Sequence, residues 1–256
     1  MKHNIIAYTI CYNERKLFPF FIDYMNRFAS KIIIYDNESD DGILDDFKKY
    51  DNIEVRTFST DGNLVDKTIQ NIKNECWKES IGKCDYVYVG EFDEFLWAND
   101  IDKELDYMDE KGQTIIWPEI YQLYCDTFPK YIKGKLLHET PKMRFLKDYS
   151  FGKRLFFNPN EITSIKYGPG AHTCFPCGNV KYYDKQDIFM FHAKNMSPQY
   201  LYDRYLMYNK RVKITDFEKL MHINTHLLDI EKDKIFNEFQ NKFDKAYEIN
   251  NIDSIL

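Results

Sequence analysis

Asp85–Trp97 reads DYVYVGEFDEFLW. Its first half is a run of aromatic and β-branched residues, the composition of a buried strand. Its second half places three carboxylates, Glu91, Asp93 and Glu94, within four residues, and Phe95, Leu96 and Trp97 then close the stretch. Like charges packed together repel unless a cation lies among them or the side chains point apart into water. On an extended backbone residues i and i+2 share a face, so Glu91 and Asp93 project together while Phe92 turns into the protein. Two carboxylates on one side of a strand end are hard oxygen donors suited to Mg2+ or Mn2+, whose shell water and substrate phosphates complete. The alternative is a solvated acidic turn.

Upstream, apolar strands and amphipathic stretches alternate. Asn4–Ile10, Lys31–Asp36, Asn52–Phe58 and Asp85–Gly90 read as strands, with helical spacing over Lys16–Phe28, Ile43–Lys48 and Asn63–Ser80. Strands apolar on both faces and separated by helices predict an α/β protein with a mixed, mostly parallel sheet. In such sheets ligands bind beyond the carboxyl ends of the strands. CYNER follows the first strand, DNESDDG begins at the end of the second, and EFDE follows the fourth, so the polar residues collect at that edge.

The composition bounds the answer from outside. The chain has 256 residues, 44% hydrophobic and 30% charged, and no apolar run approaches the roughly 18–20 residues that cross a bilayer. Its opening, MKHNIIAYTICYNERK, meets Asn13 and Glu14 too early for a secretory signal, so the expected location is the cytoplasm. Six cysteines without such a signal predict free thiols. A net charge of −6 argues against a nucleic-acid surface but leaves room for a local cluster of Lys and Arg on a phosphate.

TICYNERKLFPFFIDYMNRFASKIIIYDNESDDG (Thr9–Gly42) together with DYVYVGEFDEFLW resembles GT-A-fold glycosyltransferases of the family-2 type, in the subgroup related to family 92. The resemblance is specific over residues 4–97 and extends more weakly to Lys194. It implies a GT-A-like, Rossmann-like sheet with flanking helices. It also implies transfer of a sugar from a UDP- or GDP-linked donor, with Mn2+ or Mg2+, to a glycan or lipid-linked glycan hydroxyl, in bacterial surface polysaccharide synthesis. Cys11, Tyr12 and Asn13 match the loop against the nucleotide base, Asp36 the acidic residue on the base or ribose, and Asp93 the metal-binding second acid of D-x-D. Glu91 stands where the family has the first Asp, and it is a candidate for the ribose or the metal. Downstream, KRLFF, GPGAH and FHAKN supply by the same resemblance Lys153, Arg154 and Lys194 for the diphosphate, and His192 or His172 as a further metal ligand.

An inverting transferase needs a carboxylate to deprotonate the acceptor hydroxyl. Glu119 and Asp126, flanking YQLY, are the candidates, with His138 and Glu139 behind them. Thr114–Tyr124 reads as a strand, and KRLFF, ITSIK and IFMFH as short strands of a mixed sheet; Cys125–Ser150 is irregular. Residues 1–195 form the expected catalytic unit, and 196–256 a helical extension packed on it. YLYDRYLMYNKRVK in that extension would suit either a helix with a solvated basic face or peripheral contact with the inner membrane surface.

Two rival functions arise. A nucleotidyltransferase on a similar sheet also needs acidic metal ligands, although no glycine-rich basic loop follows the first strand. HTCFPC, with His172, Cys174 and Cys177, has a zinc-like spacing that His192 would complete, giving a non-catalytic, zinc-stabilised nucleotide-binding module.

Overall fold

The computed structural model describes residues 2–149, 153–213 and 230–248. Strands β1 (Ile5–Cys11), β2 (Lys31–Asp36), β3 (Ile53–Thr57) and β4 (Tyr86–Glu91) run parallel in the order β3-β2-β1-β4. Two short antiparallel strands, β9 (Phe156–Phe157) and β6 (Ile115–Ile116), extend the sheet past β4. This is the mixed, mostly parallel sheet expected from the alternation.

Both faces are covered, which is why the parallel strands carry apolar residues on both sides. Helices α1 (Phe18–Met25) and α2 (Ile43–Phe47) pack with Ile5, Ala7, Ile32 and Ile34 on one face. On the other, Trp77, in the 3-10 turn that follows α3 (Asp66–Glu75), joins Tyr8, Ile33, Val87 and Val89. The register sets Cys11 opposite Asp36, Asp36 opposite Thr57 and Ile10 opposite Glu91, so the carboxyl ends of the four strands share one edge.

The quoted stretch does more than deliver a turn. After Phe92 and Asp93 the chain enters another strand, β5 (Glu94–Ala98), which leaves the first sheet for a second. There β5 pairs antiparallel with β12 (Ile188–His192), β12 pairs parallel with β7 (Glu119–Tyr124), β7 pairs with β8 (Arg144–Lys147), and β8 pairs with β13 (Tyr247–Glu248) at the edge. Helix α4 (Ile101–Lys111) follows β5, its first turn capped by the Asp100 carboxylate. The apolar tail Phe95–Trp97 is thus a fully buried strand and not only the anchor of a turn. Thr114–Tyr124, expected as one strand, is two: Trp117 and Pro118 interrupt it, and β6 and β7 lie in different sheets. Proline has no N–H for a ladder, so a break there is the physical outcome. The irregular region contains β8, and β10 (Ile162–Ser164) and β11 (Cys177–Gly178) form a separate ribbon.

Helices α5 (Pro198–Asn209) and α6 (Lys232–Phe243) pack together over Tyr124 through Leu201, Ile235, Phe239 and Phe243. The rest of the C-terminal extension, 214–229 and 249–256, lies outside the described residues. No helix among the described residues is long and apolar enough to cross a membrane. The described cysteines, all six of them, are free thiols, and only Cys177 is not buried.

Candidate functional site

A cleft of about 250 Å³ opens at the carboxyl edge of β1 and β4. Glu91, Phe92 and Asp93 form its floor, with Tyr12 and Glu14 from the loop after β1 and Lys153 from the segment before β9. His192 and Lys194 enter from the end of β12, and Gly170 and His172 from the loop after β10. Helix α5 and the turn that follows it close the remaining side with Arg204, Tyr205, Tyr208 and Arg211.

The three carboxylates that opened the question each have a cation. Lys73 on α3 donates to Glu91 Oε1 at 2.5 Å. Glu94 is fully buried, and its carboxylate accepts from Lys153 and from the backbone N–H of Glu91, the latter at 2.8 Å. Asp93 Oδ2 accepts from Arg204 Nη1 at 3.0 Å and faces His192 Nε2 at 3.6 Å. Arg204 also reaches Glu14 Oε1 with Nη2 at 2.9 Å and the Tyr200 hydroxyl with Nη1 at 3.2 Å.

Burial works against ionisation of these acids, and the cations decide the outcome. For Asp93, Arg204 and His192 overcome burial and hold the carboxyl well below its usual range. For Glu91, burial is likewise overcome, by Lys73 and Lys153, and it falls to about 2. For Glu14, burial exceeds the attraction of Arg204, and the carboxyl rises to about 7. Lys194, half-buried beneath the Tyr205 ring, is lowered to about 8 by burial and by the neighbouring Arg204 charge. Burial opposes the charge of Lys153, but Glu94 and Glu91 keep it well above an ordinary lysine.

Of the expected site residues, the cleft gathers Tyr12, Glu91, Asp93, Lys153, His172, His192 and Lys194. Cys11 is fully buried behind it. Asn13 ties the loop after β1 to the loop after β2, donating to Asp40 at 2.7 Å and accepting from its backbone N–H at 2.8 Å. Asp36 is fully buried at the end of β2, and its Oδ1 has no hydrogen-bond partner among the described residues. Arg154 faces away from Lys153 and stacks on Trp117, 3.7 Å from ring centre to guanidinium carbon.

Neither carboxylate expected to act as base lines the cleft. Glu119 pairs with Lys147 at 2.5 Å and accepts from the Tyr121 hydroxyl at 3.1 Å, and Asp126 is exposed. His138 is packed against Trp97 and Phe191, where burial lowers it to about 3, and the Glu139 side chain binds the backbone N–H of Leu136.

Sequence reasoning missed Glu14, Lys73, Arg204, Tyr208 and Arg211. Tyr200, Arg204 and Tyr208 recur at a spacing of four, which puts them on one helix face. The guanidinium of Arg204 lies 5.6 and 5.7 Å from those two rings. The basic residues of this segment therefore do not all form a solvated face: the Arg204 side chain is 12% exposed and Arg211 is buried. Arg211 lies 3.4 Å from the centre of the Tyr12 ring and donates to Asn37 Oδ1 at 2.5 Å and to the carbonyls of Asn63 and Gly62 at 3.2 and 3.3 Å.

The donor set does not fit a divalent cation as arranged. The Asp93 oxygen that faces His192 is held by Arg204, and Glu91 is held by Lys73. A histidine that ligates through Nε2 ordinarily donates its Nδ1–H to an acceptor. Here Nδ1 faces the Gln122 amide nitrogen at 3.0 Å, while Gln122 Oε1 accepts from Asn195 at 3.0 Å. Gln122 thus presents its amide nitrogen, not its oxygen, to Nδ1, so the acceptor that orients a ligating histidine does not face this ring. Among the described residues no group of three or more His, Cys, Asp or Glu is placed to hold a metal ion, so His172, Cys174, Cys177 and His192 do not assemble as a zinc site either.

No family model matches the chain, and no curated protein matches it. Among solved structures, S. aureus TarS aligns with a TM-score of 0.46 at 13% identity, over 93% of this chain and 43% of that one. This chain thus spans less than half the length of TarS. The 4-diphosphocytidyl-2C-methyl-D-erythritol synthase of Anaerococcus prevotii DSM 20548 aligns with a TM-score of 0.35 at 13% identity, over 61% of this chain and 70% of that one. Neither likeness assigns an activity.

Proposed function

We propose that the cleft binds a nucleotide-sugar donor, UDP- or GDP-linked, and that the protein transfers the sugar to a hydroxyl of a glycan acceptor. The observation that carries this reading is the convergence of Tyr12, Glu91, Asp93, Lys153, His192 and Lys194 in one cleft at the carboxyl edge of parallel strands. An aromatic ring in a polar cleft offers a face to a base, and cations beside it suit a diphosphate.

In this reading, negative charge grows on the diphosphate as the anomeric C–O bond breaks, and fixed cations in a desolvated cleft stabilise it. Glu14 lines the cleft, and its elevated proton affinity matches a group that accepts a proton from a hydroxyl near neutral pH. A thermal-shift screen of UDP, GDP, their sugar conjugates and nucleoside triphosphates tests the reading. A diphosphate or its sugar conjugate is expected to raise Tm in proportion to its occupancy. Stabilisation by none of them would refute the proposal, and pyrophosphate release from a triphosphate and a sugar phosphate would replace it with nucleotidyl transfer.

A further inference from the structure

We infer that this cleft holds its diphosphate with the chain's own cations: Arg204 stands at Asp93 where the resemblance implies a divalent ion, and Lys194 and Arg211 face the phosphates. The inference rests on the nucleotide-sugar reading and adds to it the way the donor's charge is balanced.

The argument starts from what each acid already does. Glu91 is matched by Lys73, Glu94 by Lys153, and Asp93 and Glu14 share Arg204. Arg204 is not a loosely placed surface side chain. It bridges carboxylates from two loops, hydrogen-bonds Tyr200 and lies between the Tyr200 and Tyr208 rings. A divalent ion on the same Asp93 oxygen would sit against a guanidinium in a site of low dielectric, where like charges repel strongly. The second donor that geometry offers, His192 Nε2, lies 3.6 Å from that same oxygen, and its Nδ1 faces an amide nitrogen where a ligating histidine has an acceptor.

Lys194 and Arg211, by contrast, are in no ion pair among the described residues. Among the described residues Arg211 is anchored by neutral groups, an amide oxygen, two backbone carbonyls and the face of Tyr12, and no carboxylate of theirs is in contact with it. The acids therefore fix cations in place, and the remaining positive charge on the cleft wall is available to an anionic ligand. Arginine suits that role, because its planar fork matches phosphate oxygens and its pKa keeps it charged at any working pH.

Calorimetric titration of UDP and of GDP into the full chain, in EDTA and then in Mn2+, tests this directly. A second arm adds Mn2+ alone and follows the spin-resonance signal of the free aqueous ion. The expected result is a Kd in EDTA within about threefold of that in Mn2+, with no uptake of Mn2+ by the protein. Arg204→Gln should weaken the nucleotide by about tenfold to a hundredfold, the loss of one charged hydrogen-bonding group, and Arg204→Lys should recover only part, because it keeps the charge and loses the fork. Nucleotide binding that appears only with Mn2+, with the ion taken up in step, would overturn the inference and leave the nucleotide-sugar reading standing. No binding in either condition would remove both. The wild-type comparison decides the matter even if the Arg204 variants fold poorly.

Discussion

Glu94 and Lys153 form the most deeply buried ion pair of the described structure, at 0% and 1% side-chain exposure. Removing one partner strands a charge away from water, so Glu94→Ala should cost about 3–5 kcal/mol, read as a lower urea midpoint with the slope unchanged. Lys194 makes a prediction about pH. An ordinary lysine keeps its proton to about 10.4; this one is lowered to about 8 and so loses its charge earlier. Nucleotide affinity should therefore be full near pH 7 and fall by roughly tenfold by pH 9, the worth of one charged hydrogen bond. Lys194→Met should bind weakly and show a smaller fall in calorimetry at the two pH values, the part left being that of Glu14, which ionises near 7 in the same cleft. At this scale the sequence marked Asp93 and Glu91 as a pair, because alternation along a strand is a local property. It did not mark Arg204 or Glu14, whose significance arises from a contact between residues 14, 93 and 204 that no local pattern encodes.

The element that organises the site is the passage from β4 to β5. Phe92 turns inward there, stacking on Phe21 at 4.1 Å between ring centres and touching Phe18 and Phe47. It thereby fixes the carboxylates on either side of it. Phe92→Ala should cost about 3–5 kcal/mol of stability in urea unfolding, the loss of a buried aromatic ring plus the cavity it leaves. Gly90, just before, has no room for a side chain: a Cβ would meet the Tyr88 hydroxyl at 2.0 Å, and that hydroxyl is held by the Glu94 carbonyl. The strands β1 to β4 and the helices between them were legible because each is a strong periodic segment. β5 was not, because an apolar run directly after a turn reads equally well as the anchor of that turn. The split of Thr114–Tyr124 was signalled by Pro118, but which sheet each half joins is a pairing between distant segments.

Across the whole molecule, two sheets and a helical layer meet at one cleft. β4 leads one sheet into it, β12 brings His192 from the other, and α5 lays Arg204 across the opening. The position of α5 depends on α6, whose Phe239 and Phe243 pack with Leu201 over Tyr124. Phe239→Ala removes a ring that does not itself line the cleft. It should nevertheless lower stability by about 3–5 kcal/mol and weaken nucleotide binding severalfold, since the helix that carries Arg204 loses its support; calorimetry on the folded variant checks the second effect. What the sequence determined by itself was the parallel α/β framework, its ligand-bearing edge and the paired acids at the end of β4, because periodicity and strand alternation are written in neighbouring residues. What only the tertiary structure decided was which charges those acids meet. Electrostatic partners are chosen by distance in space, and the chain brings Lys73, Lys153 and Arg204 to Glu91, Glu94 and Asp93 only when both sheets and α5 are in place.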